Sequence, residues 1–426
     1  MITDVRNFKP DVAKPRRTHL KVLGLNIELK TLKVVLLTFV ITRLMIFFII
    51  LLSSTTIPMR LGAYLYSNPD NLVMDGLVRD DSWWYHNIAT RGYNMGNIQT
   101  GAQGNTAFFP VYPLLVKTVS ALVGDVFFAG ILVSNVAFLF ALVYMYRLAR
   151  REFDDETAAR AVFYFAAAPT AVFFSAMYTE SVFMLAILAT FYYTREGQWD
   201  KAAIAGAVAS GTRNTGVIIA LSVALEGLYQ AGFRFKPPRW KRAALKRHFF
   251  AQVKIVPKAW RSFLAAAFVP VGLIGYMAYL ANAFGDPLGF IHVQATWGRE
   301  VSGAGFTKII SDTITHLNIG KNFMAGQFDT GTLLNLLSTL GFGVLVIITL
   351  FKLRPTFSIY ALLTFLVPLS TGSVGSMTRY ILMLIPCFLL LAKWGKNPMI
   401  DKIVMVIFVP MMGYMSIIMS HWYFAG

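Results

Sequence analysis

Apolar runs close to the length of a bilayer crossing recur from residue 32 to residue 421, and the short segments between them carry most of the charge. A helix of about 20 apolar residues spans the hydrocarbon layer, and in lipid every backbone N–H and C=O must be satisfied inside the protein. Helices and closed barrels meet that condition, and the alternating pattern of a barrel is absent. Composition agrees, with 56% hydrophobic residues and a mean hydropathy of +0.57. The expected fold is all-α, a polytopic helical membrane protein.

A net charge of +18 raises the question of nucleic acid, but the distribution of the charge answers it. Basic residues cluster in the N-terminal tail, around Arg147 to Arg160, between Arg234 and Arg261, and around Lys393 to Lys402. These are short segments flanking apolar runs, which is the positive-inside pattern. No nucleic-acid partner is expected. Membrane lipids are: the ten basic residues from Arg234 to Arg261, Lys241, Arg242, Lys246 and Arg247 among them, read as an interfacial segment drawn to anionic headgroups. The N-terminus is therefore expected inside. The single cysteine, Cys387, lies within an apolar run and excludes disulfides and cysteine-based metal sites.

This orientation gives expected spans at 32–53, 126–147, 161–176, 178–194, 202–212, 214–228, 263–284, 332–351, 356–373, 378–393 and 402–421, about eleven crossings. The chain divides into a basic cytoplasmic tail at 1–31 and one transmembrane domain at 32–426. External loops are expected at about 54–125 and 285–331, with a basic cytoplasmic loop at about 229–262. The segment 108–123 contains Pro110, Pro113 and Lys117 and reads as a helix in or dipping into the outer interface. The run 202–228 must contain two half-spans, broken at Gly211-Thr212-Arg213-Asn214-Thr215-Gly216, to keep the following basic stretch inside. Broken helices at membrane depth require a protein or polar lining, so this break is expected to line the functional site. Arg213, an arginine inside an apolar run, points the same way. Arg43 is a second such arginine, expected to form an ion pair within the bundle.

The long first loop carries Asp80-Asp81-Ser82-Trp83-Trp84-Tyr85, a carboxylate pair beside aromatics at a membrane surface, which reads as a reaction centre. The competing reading is that one or both aspartates cap a helix beginning near Ser82. The aromatics suit stacking on a sugar ring or polyprenyl chain, and equally an interfacial belt.

Asp81-Ser82-Trp83-Trp84-Tyr85, Ile88-Ala89, Gly92-Tyr93 and Ala107-Phe108-Phe109-Pro110-Val111-Tyr112-Pro113 resemble the first external loop of the PIG-V family of mannosyltransferases, within the GT-C superfamily. Colinear similarities follow at Pro169-Thr170, Tyr178-Thr179-Glu180-Ser181, Arg213 with Gly216, Gly285-Asp286-Pro287-Leu288 with Trp297, and Ser376 with Arg379-Tyr380. One departure stands out: Asp80 occupies the position where the family usually has Trp, which leaves open which aspartate faces the substrate. The resemblance implies inverting transfer of a sugar, mannose first, from a polyprenyl-phosphate donor to a lipid, glycan or protein acceptor. A transporter or flippase of lipid-linked sugars is the alternative, and it would be expected to show internal repeats and a midplane site, neither of which is read here.

Glycosyl transfer to a hydroxyl needs a base at the acceptor oxygen and positive charge where the phosphate leaves. Asp81 is the candidate base, with Asp80 its alternative, and the pair is also the only candidate for a divalent cation, Mg²⁺ or Mn²⁺. Arg213 and Arg379 are the candidate donor-phosphate ligands, with interfacial snorkelling as the other reading of Arg379. Trp84, Tyr85, Glu180 and Trp297 are the candidate substrate contacts, with orienting an arginine or capping a helix as the other readings of Glu180, and His292, Gln294 and Arg299 accompany Trp297 in a loop suited to closing over the acceptor. No Asn-x-Ser/Thr sequon is present, which favours a prokaryotic cytoplasmic membrane with the site outside.

Overall fold

The structure is a computed structural model that describes residues 19–22, 25–60, 68, 70–97, 102–233, 253–297, 309–311, 314–315, 326, 329–370 and 372–423. From Leu29 onward the regular structure is helical. Ahead of it, His19–Val22 pairs antiparallel with Leu25–Glu28, so a β-hairpin within the basic tail departs from the all-α expectation. Most of the basic loop, with Lys241, Arg242, Lys246 and Arg247, lies outside the described residues, as do Arg299 and much of the second external loop.

Among the described residues, five helices are long and apolar enough to cross a membrane: Leu29–Thr56, Val126–Glu152, Val256–Phe284, Thr330–Lys352 and Pro398–Ser420. Met377–Met383 and Ile385–Trp394 pass the same test as a pair, bent by 75°. Their outward faces are apolar and uncovered, with Leu44, Phe48, Val344 and Val406 all more than half exposed, as lipid contact requires. The expected spans at 161–176, 178–194, 202–212 and 214–228 take the form of shorter helices, Asp155–Ala166, Glu180–Arg195, Trp199–Thr212 and Ile219–Gln230. The first of these stops ten residues early. Beyond Ala166 the chain passes Pro169 and makes only a 3-10 turn, Ala171–Phe174, because proline cannot supply the N–H that would continue the helix.

Helix Val126–Glu152 is central, packing against Val111–Val123, Asp155–Ala166 and Glu180–Arg195. Small side chains at Ala158, Ala161, Ala166 and Ala168 let backbones approach, and Phe138, Phe165, Phe174 and Phe388 fill the space that remains. Helix Val271–Phe284 lies so close to Trp199–Thr212 that a Cβ on Gly272 would collide with the Ala207 carbonyl. Arg43 is buried, and among the described residues it does not make the expected ion pair. Its Nη1 donates to the Ala171 carbonyl at 3.1 Å and to Ser175 Oγ at 2.9 Å, and its Nη2 donates to the Ala166 carbonyl at 2.9 Å. The Ala166 carbonyl at the early helix end, the Ala171 carbonyl of the turn that follows and the Ser175 hydroxyl take the place of a carboxylate.

Candidate active site

Four charged side chains from four distant parts of the sequence meet in one network, and each stands where a helix starts or breaks. Asp81 is the first residue of helix Asp81–Arg91 and Glu180 the first of Glu180–Arg195. Arg213 is the single extended residue between Trp199–Thr212 and the 3-10 turn Asn214–Ile218, within the break expected from sequence. That turn folds back so tightly that a Cβ on Gly216 would strike the Ala209 carbonyl, which accounts for glycine there. Arg379 lies in the four-residue helix Met377–Tyr380, entered through Ser376 at φ 65°.

The geometry is continuous. Asp81 Oδ2 accepts from Arg379 Nη1 at 2.6 Å, Arg379 Nε donates to Glu180 Oε1 at 2.5 Å, and the same oxygen accepts from Arg213 Nη1 at 2.8 Å. Arg213 Nη1 also donates to Thr179 Oγ1 at 3.1 Å. Aromatic rings hold both guanidinium groups: Arg379 lies 4.6 Å from the Tyr178 ring, and Arg213 lies 5.7 Å from Tyr380. Glu180 is fully buried, and its Oε2 has no hydrogen-bond partner among the described residues. Asp81 is the most open member, its side chain 25% exposed. One carboxylate is thus presented at the rim, and two arginines are fixed behind it by a buried glutamate.

Helix capping does not explain the aspartates. Asp80 occupies the cap position, but its side chain makes no capping hydrogen bond, and its backbone adopts φ 44° and ψ −109°. Such a conformation is costly for any residue but glycine and marks functional sites more often than ordinary turns. Burial first, and the neighbouring Asp81 charge second, push the Asp80 carboxyl up to about 6. Arg379 is buried and paired, not snorkelling to an interface.

The aromatic candidates divide. Trp84 is half-buried and stacks on Phe108 with 6.0 Å between centroids and 14° between planes. Tyr85 is buried edge-on against Phe108 and Tyr112, its hydroxyl 3.4 Å from Thr179 Oγ1, so it braces the turn that carries Glu180. Burial raises its hydroxyl pKa above the ordinary tyrosine range. Trp297 closes the 3-10 turn Val293–Trp297. In the same loop, His292 Nδ1 lies 2.8 Å from Asp286 Oδ2, and this ring and Gln294 join none of the hydrogen bonds of the four-charge network. For a divalent cation the donor set is thin: Asp81 Oδ2 is engaged by Arg379, and no cluster of three or more His, Cys, Asp or Glu suited to a metal occurs among the described residues.

Sequence reasoning missed Arg79 and Asp75, a fully buried pair at 2.6 Å just ahead of Asp80. The hydrophilic spacing Asp75-x-x-x-Arg79 beside the patch was the available signal.

Residues 107–233 match the family model described as dolichyl-phosphate-mannose-protein mannosyltransferase. No curated protein matches. Among solved structures, the chain is similar to the oligosaccharyltransferase of Archaeoglobus fulgidus tethered with an acceptor peptide, at 14% identity and a TM-score of 0.44, covering 93% of this chain and 55% of that one. It is also similar to the same organism's oligosaccharyltransferase AglB in complex with an inhibitory peptide and a dolichol-phosphate, at 13% identity and a TM-score of 0.43, covering 93% and 56%. ArnT from Cupriavidus metallidurans bound to undecaprenyl phosphate gives 16% identity and a TM-score of 0.47, covering 87% and 63%. The chain therefore spans little more than half the length of these proteins.

Proposed function

We propose that this chain is an integral membrane glycosyltransferase that moves a sugar, mannose first, from a polyprenyl-phosphate donor to an acceptor hydroxyl on the outer face of a prokaryotic cytoplasmic membrane. The observation that carries the reading is the four-charge network: an accessible carboxylate beside two arginines, all at helix discontinuities. The matched segment 107–233, which includes Glu180 and Arg213, supports the sugar and the lipid-phosphate donor. On this reading the chain crosses the membrane about eleven times, with its N-terminus in the cytoplasm.

Asp81 accepts the proton of the acceptor hydroxyl as its oxygen attacks the anomeric carbon. The carbon–phosphate-oxygen bond breaks on the opposite face, so configuration inverts. Arg213 and Arg379 stabilise the negative charge that gathers on the departing phosphate. Glu180 keeps both guanidiniums in place, and Trp84 supports the sugar face with its exposed part. Arg379 is shared between Asp81 and the incoming phosphate. Donor binding therefore draws Arg379 off Asp81 and frees the carboxylate to act as a base. Trp297 and its loop cover the acceptor.

Purified full-length protein given radiolabelled polyprenyl-phosphate mannose and a membrane-lipid extract should yield labelled product and unlabelled polyprenyl phosphate. Movement of intact donor across vesicles without product would replace the enzyme reading with a transporter.

A further inference from the structure

Arg79 lies outside the four-charge network but is tied to it through the chain. It is fully buried, and every arm of its guanidinium is engaged. Nη2 donates to Asp75 Oδ2 at 2.6 Å, Nη1 donates to the Val78 carbonyl at 2.9 Å and to the Asp75 carbonyl, and Nε donates to the Ser420 carbonyl at 2.9 Å. The group also lies 4.8 Å from the Trp422 ring. The backbone of Arg79 is held as well: its carbonyl accepts from the Tyr178 hydroxyl at 3.1 Å, and its N–H donates to Ser82 Oγ at 3.2 Å. Leu77, two residues earlier, accepts from the Met177 N–H at 3.1 Å. The next residue is Asp80 at φ 44°, and the one after it is Asp81 against Arg379.

A strained backbone persists only where its surroundings over-determine it. The contacts of Arg79 and Leu77 are those surroundings. They fasten the turn to the end of helix Pro398–Ser420 on one side and to the segment leading into Glu180 on the other. We propose that Arg79 is a positioning residue for the transfer reaction, a clamp that holds the turn before Asp81 in its strained form and so fixes where the Asp81 carboxylate stands at the rim of the site. The proposal rests on Asp81 being the base.

The test uses the full chain with labelled polyprenyl-phosphate mannose and a membrane-lipid extract, with turnover counted per folded molecule. Arg79→Lys keeps the charge beside Asp75, but one ammonium cannot replace a planar fork that reaches both the turn and the Ser420 carbonyl. Displacing a reacting group by about 1 Å costs on the order of a hundredfold. A fall in kcat of that order with donor KM within about twofold is therefore expected. Asp75→Asn combined with Arg79→Gln removes both charges, leaves neither buried alone, and should give the same split. A merely structural arginine would lower yield or melting temperature and leave kcat per folded molecule unchanged, and that result in either folded variant overturns the proposal. Asp81→Asn, measured alongside, separates the two readings. If it is inactive while the Arg79 variants turn over normally, only the clamp fails; if it turns over normally, the base assignment fails first.

Discussion

Among the described residues, two largely buried clusters share one composition, each with two arginines and two acids, and each has one partly exposed member, Asp81 in the first and Arg354 in the second. One is Asp81, Glu180, Arg213 and Arg379. In the other, Arg195 pairs with Glu152 at 2.5 Å and with Glu226, and Glu226 also accepts from Arg354 at 3.3 Å and from Gln230 at 3.3 Å. In both, a glutamate almost without exposure bridges two arginines and keeps one oxygen unpartnered among the described residues. Charge content and burial therefore do not distinguish a site from a structural tie. Backbone does. Glu226 lies inside a regular helix, Glu152 and Arg195 are the last residues of theirs, and Arg354 precedes another without a side-chain capping bond. The first cluster hangs from helix starts and breaks, with Asp80 and Ser376 at positive φ on its border. Among the described residues, no non-glycine residue at positive φ adjoins the second cluster, so backbone strain is found beside the first cluster alone.

The largest effect that tests this contrast is Asp81→Asn, which should lower turnover by about a hundredfold to ten-thousandfold while the protein still folds and binds donor. Asp80→Asn with the greater loss would move the base by one residue. Next comes a matched pair of arginine truncations. Arg213→Ala should cost about a hundredfold to a thousandfold in turnover, with Arg213→Lys in between. Arg195→Ala should destabilise by about 3–5 kcal/mol, because Glu226 is left buried with less compensation, yet retain turnover per folded molecule. Melting temperature and single-turnover rate for both variants decide it, and equal behaviour would erase the contrast.

A smaller effect concerns pH. The Asp80 carboxyl is protonated below about pH 6, and a turnover profile with no break there removes Asp80 as the base. With Asp80 as the base, turnover falls about tenfold per pH unit below that point. The smallest is a stability shift at Asp80. Its folded pKa lies above its ordinary 3.8, at about 6, so the folded state binds the proton more tightly and loses stability as pH rises from 4 to 6. Asp80→Asn should melt above the wild type at pH 8 and level with it at pH 4. Equal melting temperatures at both pH values would mean that the burial of Asp80 carries no cost.

Much of the site was legible in the sequence, for a specific reason. Arg213 stood out because an arginine in an apolar run needs a partner, and the break at Gly211 to Gly216 followed from counting charges on each side of the bilayer. What could not be read was pairing. Glu180 could be read as orienting an arginine, binding sugar hydroxyls or capping a helix, and it proved to hold two arginines 166 residues apart, Arg213 and Arg379, neither of which sequence could select. Arg43 shows the reverse: the need for a partner was legible, but the partners are neutral groups where a helix stops, the Ala166 and Ala171 carbonyls and the Ser175 hydroxyl.

The sequence by itself determined the solvent and the element type, because lipid permits so few backbone solutions that hydropathy and charge placement nearly exhaust them. It also marked the helix break at Gly211 to Gly216, though not the early end at Ala166 or the bend after Met383. Only the tertiary structure decided that Asp81 meets Arg379 across 298 residues, that Arg79 fastens the first loop to the last helix, and that Tyr85 turns inward as a brace. A contact between residues far apart in the chain depends on how helices rotate and pack, and that is fixed by the fit of many small side chains acting together.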